Sequence, residues 1–414
     1  KITATVSPSN ATNKKVIWSS SDEGVATVDG NGKVTAVGYG IATITVTSAA
    51  DNTKAATCKV IVANDWSDLA DTIWYGDSQT SFTISTAAEL AGLAELVNSG
   101  TNFSGKTINL GADIDLLNLE WIPIGTKENP FRGKFNGADK EISNLKIDAP
   151  EATNVGLFGY VTGGSLSNLK LKDVEINAKE AVGALVGNVR GLSEPISNIE
   201  GRFIDIQSTH WAGGLIGYSY ASVKDCSVDE ANVTLTYDTS INDNGDKAGG
   251  ITGYQGEGNF YYENCRTSNV EIVGVRDVGG LVGASQYNVY YINCHVEFSV
   301  IKAEVNDPSF EHAQPYAGGL IGRAAGSITL FDCSATPGGI IDDVFVPGVI
   351  VSSYKDGFAG ELVGGPVSNV TIAKVLNSTQ KKAYETIQVA IDAAQGGDTI
   401  LVAEGTYVES LIIP

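Results

Sequence analysis

The side chains able to do acid–base or covalent work are few and do not converge. Three histidines, His210, His295 and His312, stand far apart with no Ser-His-Asp or Cys-His arrangement around them, so nucleophilic catalysis has no visible machinery. The five cysteines show neither CxxC nor mixed Cys/His metal spacing, which argues against structural zinc. Asn242-Asp-Asn-Gly-Asp246 has the composition of an oxygen-ligand calcium loop. Ser240, however, stands at its first ligand position and the closing Glu is missing, so an inter-repeat turn is the better reading. Asp342-Asp343 is a bare pair with no spacing logic. No metal or cofactor is expected.

Aromatic side chains carry the stronger signal. Tyr261 and Tyr290 occupy equivalent places in two neighbouring repeats, Tyr220, Phe260 and Tyr287 lie in nearby loops, and a His210-Trp211 pair precedes an earlier repeat. Outward aromatic rings stacked side by side form a flat apolar surface with a polar rim, suited to sugar rings. The same arrangement also serves as a cross-strand ladder that only stiffens a sheet, at roughly 0.2 to 1 kcal/mol per pair. Tyr262 and Tyr291, one place further on, are expected in the core.

What positions these rings is a repeat. A phrase ending in Asn or Asp plus a small apolar residue occurs eight times, with the polar residue at Asn144, Asn168, Asn198, Asp225, Asn264, Asn293, Asp332 and Asn369. A glycine phrase of the form AGGLIG ends at Gly159, Gly187, Gly217, Gly253, Gly283, Gly322 and Gly364. Repeats 24 to 42 residues apart indicate a solenoid. The positions two before and one after the Asn are both apolar, although a continuous strand would place them on opposite faces. The chain therefore bends at the Asn, which tolerates left-handed backbone. The expected fold is mainly β: a small Ig-like sandwich plus a right-handed parallel β-helix of eight coils, a rod of roughly 38 Å, with a short capping helix. The glycines are expected to give tight corners or close backbone approach.

Stacked coils also test the enzyme reading. A hydrolase needs two carboxyl groups about 5 to 9.5 Å apart. At the corner, Asp225 and Asp332 are separated by two Asn coils; four residues on, Asp229 and Glu297 flank Ser268, with Lys172, Arg202 and Thr336 in the same column. Lys146 and Lys170 align without an acidic cluster, as a solvated face would. Cys226, Cys265, Cys294 and Cys333 share one rung position, either as small buried hydrophobes, the favoured reading, or as bridged neighbours. The net charge of −21, from 27 basic and 48 acidic residues, disfavours nucleic acid or an anionic membrane as partner. No apolar run is long enough for a membrane span. The chain starts within a strand and contains no Met, so a processed form or fragment is expected.

Taken in order, residues 1–63 alternate in the β manner, with six or seven short strands and Trp18 as expected core. The run WSSSDEGVATVDGNGKVTAVGYGIATITVT resembles the group 2 bacterial Ig-like domain, which implies a spacer or adhesion module on an extracellular bacterial protein. Residues 64–100 are a connector followed by a capping helix, with Thr86 as N-cap, Leu90, Leu93, Leu96 and Val97 on one face, and Gly100 as stop. Residues 101–376 form the β-helix; their GGLIG and ISNL phrases resemble those of GLUG-motif bacterial surface proteins, which implies a stalk or adhesin and brings no catalytic residues. Residues 377–414, with YETIQVAIDAAQGGDTILVAEGTYVES, resemble the opening of a pectin-lyase-like β-helix and read as a second such unit or a C-terminal cap. The functional expectation is a secreted or surface-anchored, non-enzymatic adhesion or glycan-binding stalk whose partner is an extracellular polysaccharide, a host glycan or a host surface protein, met through Tyr261, Tyr290, Tyr287, Tyr220 and Trp211. The alternatives are a carbohydrate-active enzyme with catalytic coils outside this sequence, and a pure spacer.

Overall fold

The structure, a computed structural model, describes residues 1–236, 246–303, 316–324, 328–341, 344–347, 350–352, 358–360, 370–373, 375–377, 379–380, 382–384, 386–396 and 398–402. His312, Asp342, Asp343, Gly364, Asn369 and the turn at 240–245 lie outside these residues. The chain divides into two compact units, Lys1–Asp71 and Thr72–Pro414.

In the first unit, Val16–Ser20, Gly40–Ser48 and Ala55–Val62 form an antiparallel three-stranded sheet, and Ala26–Val28 pairs with Val34–Ala36. Five strands form where six or seven were expected. Val25, Ala26 and Ala42 make the small core, with Val34, Val60 and Val62 packed against it. Trp18 is half-buried rather than fully enclosed, because its ring lies along Gly32, where an added Cβ would come within 3.0 Å of it.

The second unit opens with helix α1, Ala87–Asn98, which begins in a reciprocal capping box between Thr86 and Glu89 and ends as the chain turns through Gly100 at φ +102°. It buries Leu90, Leu93 and Val97, while Leu96 is half-buried. A parallel solenoid of about seven turns follows. One of its faces is a six-stranded parallel sheet of Phe158–Thr162, Val186–Arg190, Ile216–Tyr220, Thr252–Gln255, Val282–Ser285 and Ile321–Ala324. Most of the remaining strands continue the same winding, pairing in parallel with a counterpart one coil on, as Ser227–Leu235 does with Arg266–Gly274, while Ser334–Ile341 also pairs antiparallel with Val344–Pro347.

The Asn corner forms as the phrase requires. Asn168, Asn198, Asp225, Asn264, Asn293 and Asp332 take φ between 49° and 56°. Below them Leu169, Ile199, Cys226, Cys265 and Cys294 are buried in one column, and all five cysteines are free thiols. The amides are linked between coils: Asn198 Nδ2 donates to Asn168 Oδ1 at 2.9 Å, Asn264 to Asp225 at 2.7 Å, and Asn293 to Asn264 at 2.9 Å.

The first copy of the phrase is displaced. Ile142 pairs with Leu171 and Leu145 with Val174, so Asn144 stacks not on Asn168 but on Asp173, at a second left-handed corner five residues downstream. That row continues through Phe203, Glu230, Asn269 and Phe298, all at φ between 48° and 55°. The supposed Lys146/Lys170 alignment therefore dissolves: Lys146 pairs with Glu175, and Lys170 stands between Glu141 and Glu200.

Past the last coils, Val375–Asn377 is the centre of an antiparallel sheet between Lys382–Tyr384 and Ile400–Val402, with helix α2, Ile387–Ala393, N-capped by Thr386. The segment expected as a second β-helix unit or a C-terminal cap is thus an antiparallel sheet with one helix among its described residues. Leu401 packs on the solenoid residues Ile292 and Phe331.

Candidate functional site

The glycine phrase makes a bend that is concave on the outside. Gly213 and Gly217 hold ordinary negative φ, and what they supply is absence of a side chain. A Cβ on Gly213 would lie 2.3 Å from Ile216 O and 2.6 Å from Gly253 N; one on Gly217 would lie 2.3 Å from the carbonyl carbon of Ala181. Two strands that meet this closely must be bare at the contact. The consequence is that residues immediately before and after the phrase, both outward, face each other across the bend.

Register lines these residues up along the coils. Trp211, Lys247, Asp277 and Tyr316 form one column, and Asn188, Tyr218, Tyr254, Ala284 and Arg323 form the other. The Trp211 ring lies 4.8 Å from that of Tyr218 and 5.4 Å from that of Tyr254. Tyr218 and Tyr254 stack at 4.9 Å with an interplanar angle of 8°. Tyr220 joins through its ring, 5.0 Å from Tyr218, and through a hydroxyl–hydroxyl bond of 2.5 Å. It leans over Gly256 on the next coil, where a Cβ would approach the ring to 2.5 Å. Cations lie on these rings: Arg190 Cζ is 4.4 Å from the Tyr220 centroid, Lys247 Nζ 4.7 Å from Tyr254, and Arg323 Cζ 5.9 Å from Tyr316.

The groove grades from open to closed. Arg190 is exposed; Trp211, Tyr220 and Tyr254 are half-buried; Tyr218, Lys247 and Asp277 are buried. Burial, with the nearby Tyr220 and Asp277, pushes the Tyr254 hydroxyl up to about 12, and burial plus the Tyr220 bond raises that of Tyr218, so both remain neutral donors. Asp277 is wholly buried, with neither carboxylate oxygen hydrogen-bonded; Arg323 Nη1 stands 3.8 Å from Oδ2. Burial pushes its pKa up to about 6, partly offset by Lys247, Arg323 and Arg276, while Asp246 adds to the rise. Trp211 Nε1, also enclosed, has no acceptor.

Of the residues expected from sequence, Trp211 and Tyr220 belong to this groove. Tyr261 and Tyr290 are in register on consecutive coils and half-buried, but on the flank: Tyr290 packs with Ile292 and Phe331, beneath which Leu401 also docks. Tyr287 is a loop residue, 48% exposed. Inside, Tyr262 and Tyr291 stack at 5.2 Å. Tyr218, Tyr254, Arg190, Lys247, Asp277 and Arg323 were not singled out. For all of these except Arg190, which lies three residues past Gly187, the signal is the pair of residues flanking each six-residue glycine phrase, visible only when coils are aligned on that phrase instead of on the Asn.

Several titratable groups elsewhere are engaged with one another. Ser268 Oγ donates to Asp229 at 2.6 Å, Arg202 and Arg266 pair with Glu230 and Glu297 at 2.8 and 2.7 Å, and His295 bonds Asn293 and Ser334. His210 is buried 3.5 Å from Asp246. Glu175 and Asp205 do fall side by side on adjacent coils, and burial together with Glu175 raises the Asp205 pKa. Among the described residues there is no group of three or more His, Cys, Asp or Glu able to hold a metal, and no helix is long and apolar enough to cross a membrane.

Residues 1–60 match the family model of the bacterial Ig-like domain, group 2. An alpha-L-arabinofuranosidase of Bifidobacterium longum subsp. longum is 54% identical over 189 residues, 44% of this chain and 16% of that protein. Halomucin of Haloquadratum walsbyi is 29% identical over 248 residues, 57% of this chain and 2% of that protein. A lacto-N-biosidase of Bifidobacterium bifidum is 48% identical over 65 residues, 16% of this chain and 6% of that protein. The chain thus spans only a small part of the length of each of these relatives.

Proposed function

We propose that the chain is a non-catalytic stalk of an extracellular or surface-associated protein, and that it binds glycans along the groove at the glycine bend. The observation that carries this reading is the ring cluster Trp211, Tyr218, Tyr254 and Tyr220, built across two neighbouring coils and open at its Arg190 end. Half-buried aromatic edges with hydroxyl and guanidinium groups at the rim are what sugar rings need: an apolar face to stack on and donors for hydroxyls. The Ig-like match supports a surface setting, and so do relatives named as glycosidases and as halomucin, of which this chain resembles only a short part. An appendage that holds carbohydrate near a separate catalytic domain fits those proportions. We also read the repeats as GLUG-type on their GGLIG and ISNL phrases, and the C-terminal segment as pectin-lyase-like on its own motif.

The test is affinity electrophoresis of the purified chain through gels containing arabinan, galactan or alginate. Retardation by at least one polymer, lost in Trp211→Ala/Tyr254→Ala with an unchanged unfolding temperature, supports the groove. Retardation lost instead in Tyr261→Ala/Tyr290→Ala would move the site to the flank. Free migration in every gel removes the glycan reading and leaves a spacer.

A further inference from the structure

Resting on that reading, we propose that the groove selects carboxylate-bearing glycans over neutral ones, with Arg190 making the ionic contact at its open end.

The chain carries −21, and along the solenoid flanks its cations are matched to carboxylates: Lys134 to Glu194, Lys224 to Glu263, Arg266 to Glu297 and Lys302 to Glu271, at 2.7 to 3.0 Å. The groove departs from this pattern. There Arg190, Lys247 and Arg323 are each laid on a Tyr ring; Arg323 also stands 3.8 Å from the buried carboxylate of Asp277, with Asp246 and Glu257 nearby, and Arg190 is the cation for which the described residues provide no carboxylate.

Arg190 is the member a ligand meets first. It is exposed, its Nε donates to Asn188 Oδ1 at 3.3 Å, and among the described residues it has no carboxylate partner. Its guanidinium lies over the Tyr220 ring, 4.4 Å from the centroid, with Tyr218 5.4 Å away, so it is held in place without being neutralised. A guanidinium in this state offers two parallel N–H bonds to a carboxylate. Lys247, buried, lies over the Tyr254 ring in the same groove. Trp211 Nε1, in the same groove, is a further donor with no acceptor among the described residues.

The net negative charge of the chain does not cancel this. At physiological ionic strength charges more than about 8 Å away are largely screened, so an acidic ligand in the groove responds chiefly to the cations beside it. A neutral sugar gains only the stacking and hydroxyl bonds.

The experiment is calorimetric titration of the whole chain with oligouronates from alginate and, separately, with neutral arabino- and galacto-oligosaccharides of equal length. About tenfold tighter binding of the uronates is expected, a ratio that falls towards one in Arg190→Gln and inverts in Arg190→Glu. Raising salt from about 50 to 300 mM should weaken uronate binding and leave neutral binding nearly constant. Equal affinities, or a ratio untouched in both Arg190 variants, overturn the proposal while leaving the glycan reading intact. Binding of neither class overturns both.

Discussion

The Asn corner and the glycine bend recur coil after coil, yet they fix the backbone by opposite means. At the corner the side chain acts: an amide or carboxylate tolerates φ near 53° and then bonds its equivalent one coil away. At the bend the side chain must be missing, because backbone from neighbouring strands occupies its place. The difference teaches where ligand chemistry can sit. A corner spends its polar group on the next coil, whereas a bend makes no demand on the residues flanking it. Those flanks accordingly change from Trp211/Tyr218 to Lys247/Tyr254 to Asp277/Ala284 to Tyr316/Arg323 while the phrase between them stays nearly constant.

The largest break of this contrast is steric. In Gly217→Val the added Cβ would lie 2.3 to 2.4 Å from the Ala181 carbonyl carbon and the Val182 nitrogen, backbone atoms that cannot yield without parting two coils. A loss of more than about 4 kcal/mol, or failure to recover folded protein, is expected in urea unfolding. A loss under about 1 kcal/mol would mean that close approach does not define the bend.

The same contrast explains what was legible in the sequence. The corner was readable because its residue type is itself the signal: a polar residue between two apolar ones that cannot share a face of a straight strand. The bend was readable as glycines but not as a groove, since facing columns arise only from register between coils. Register was also where the reading slipped. Asn144 has the right phrase on the wrong corner, because the corner five residues downstream accepts Asp173, Phe203, Glu230, Asn269 and Phe298 with no shared chemistry to mark it. The Tyr261/Tyr290 pairing follows from local spacing, but the packing of Tyr290 and of Leu401, more than a hundred residues later, on the same residues Ile292 and Phe331 leaves no local trace.

A second effect is expected within the groove, and it depends on pH. Asp277 holds its proton up to about pH 6 in the folded chain, against an ordinary 3.8, through burial first and despite Lys247, Arg323 and Arg276. Below about pH 4 the group is neutral folded and unfolded and contributes nothing. Between 3.8 and 6 the folded state holds the extra proton, so stability falls as pH rises; above 6 the full cost of the buried charge remains. At about 1.4 kcal/mol per pH unit this is at most about 3 kcal/mol. Asp277→Asn, which mimics the neutral acid, should therefore match the native chain near pH 4 and exceed its stability by up to that amount at pH 7.5. Equal stabilities across the range in paired urea titrations would show that the groove carries no buried charge.

The smallest effect separates the two roles of the corner residue. Asn264 takes φ 53°, donates to Asp225 and accepts from Asn293. Asn264→Ala loses both bonds and places a residue without a compensating amide in left-handed backbone, for about 2 kcal/mol in all. Asn264→Gly loses the same bonds but is at ease with the dihedral, so about 1 kcal/mol is expected, part of it the greater entropy of the unfolded chain. A cost for Gly as large as for Ala would assign the corner to its amide ladder; a near-zero cost for Gly would assign it to the dihedral alone. Either way glycan binding should be unaltered, since the corner's polar groups are directed at neighbouring coils. A change in binding would mean that displacing one corner shifts register as far as the bend, making the two features one mechanical unit.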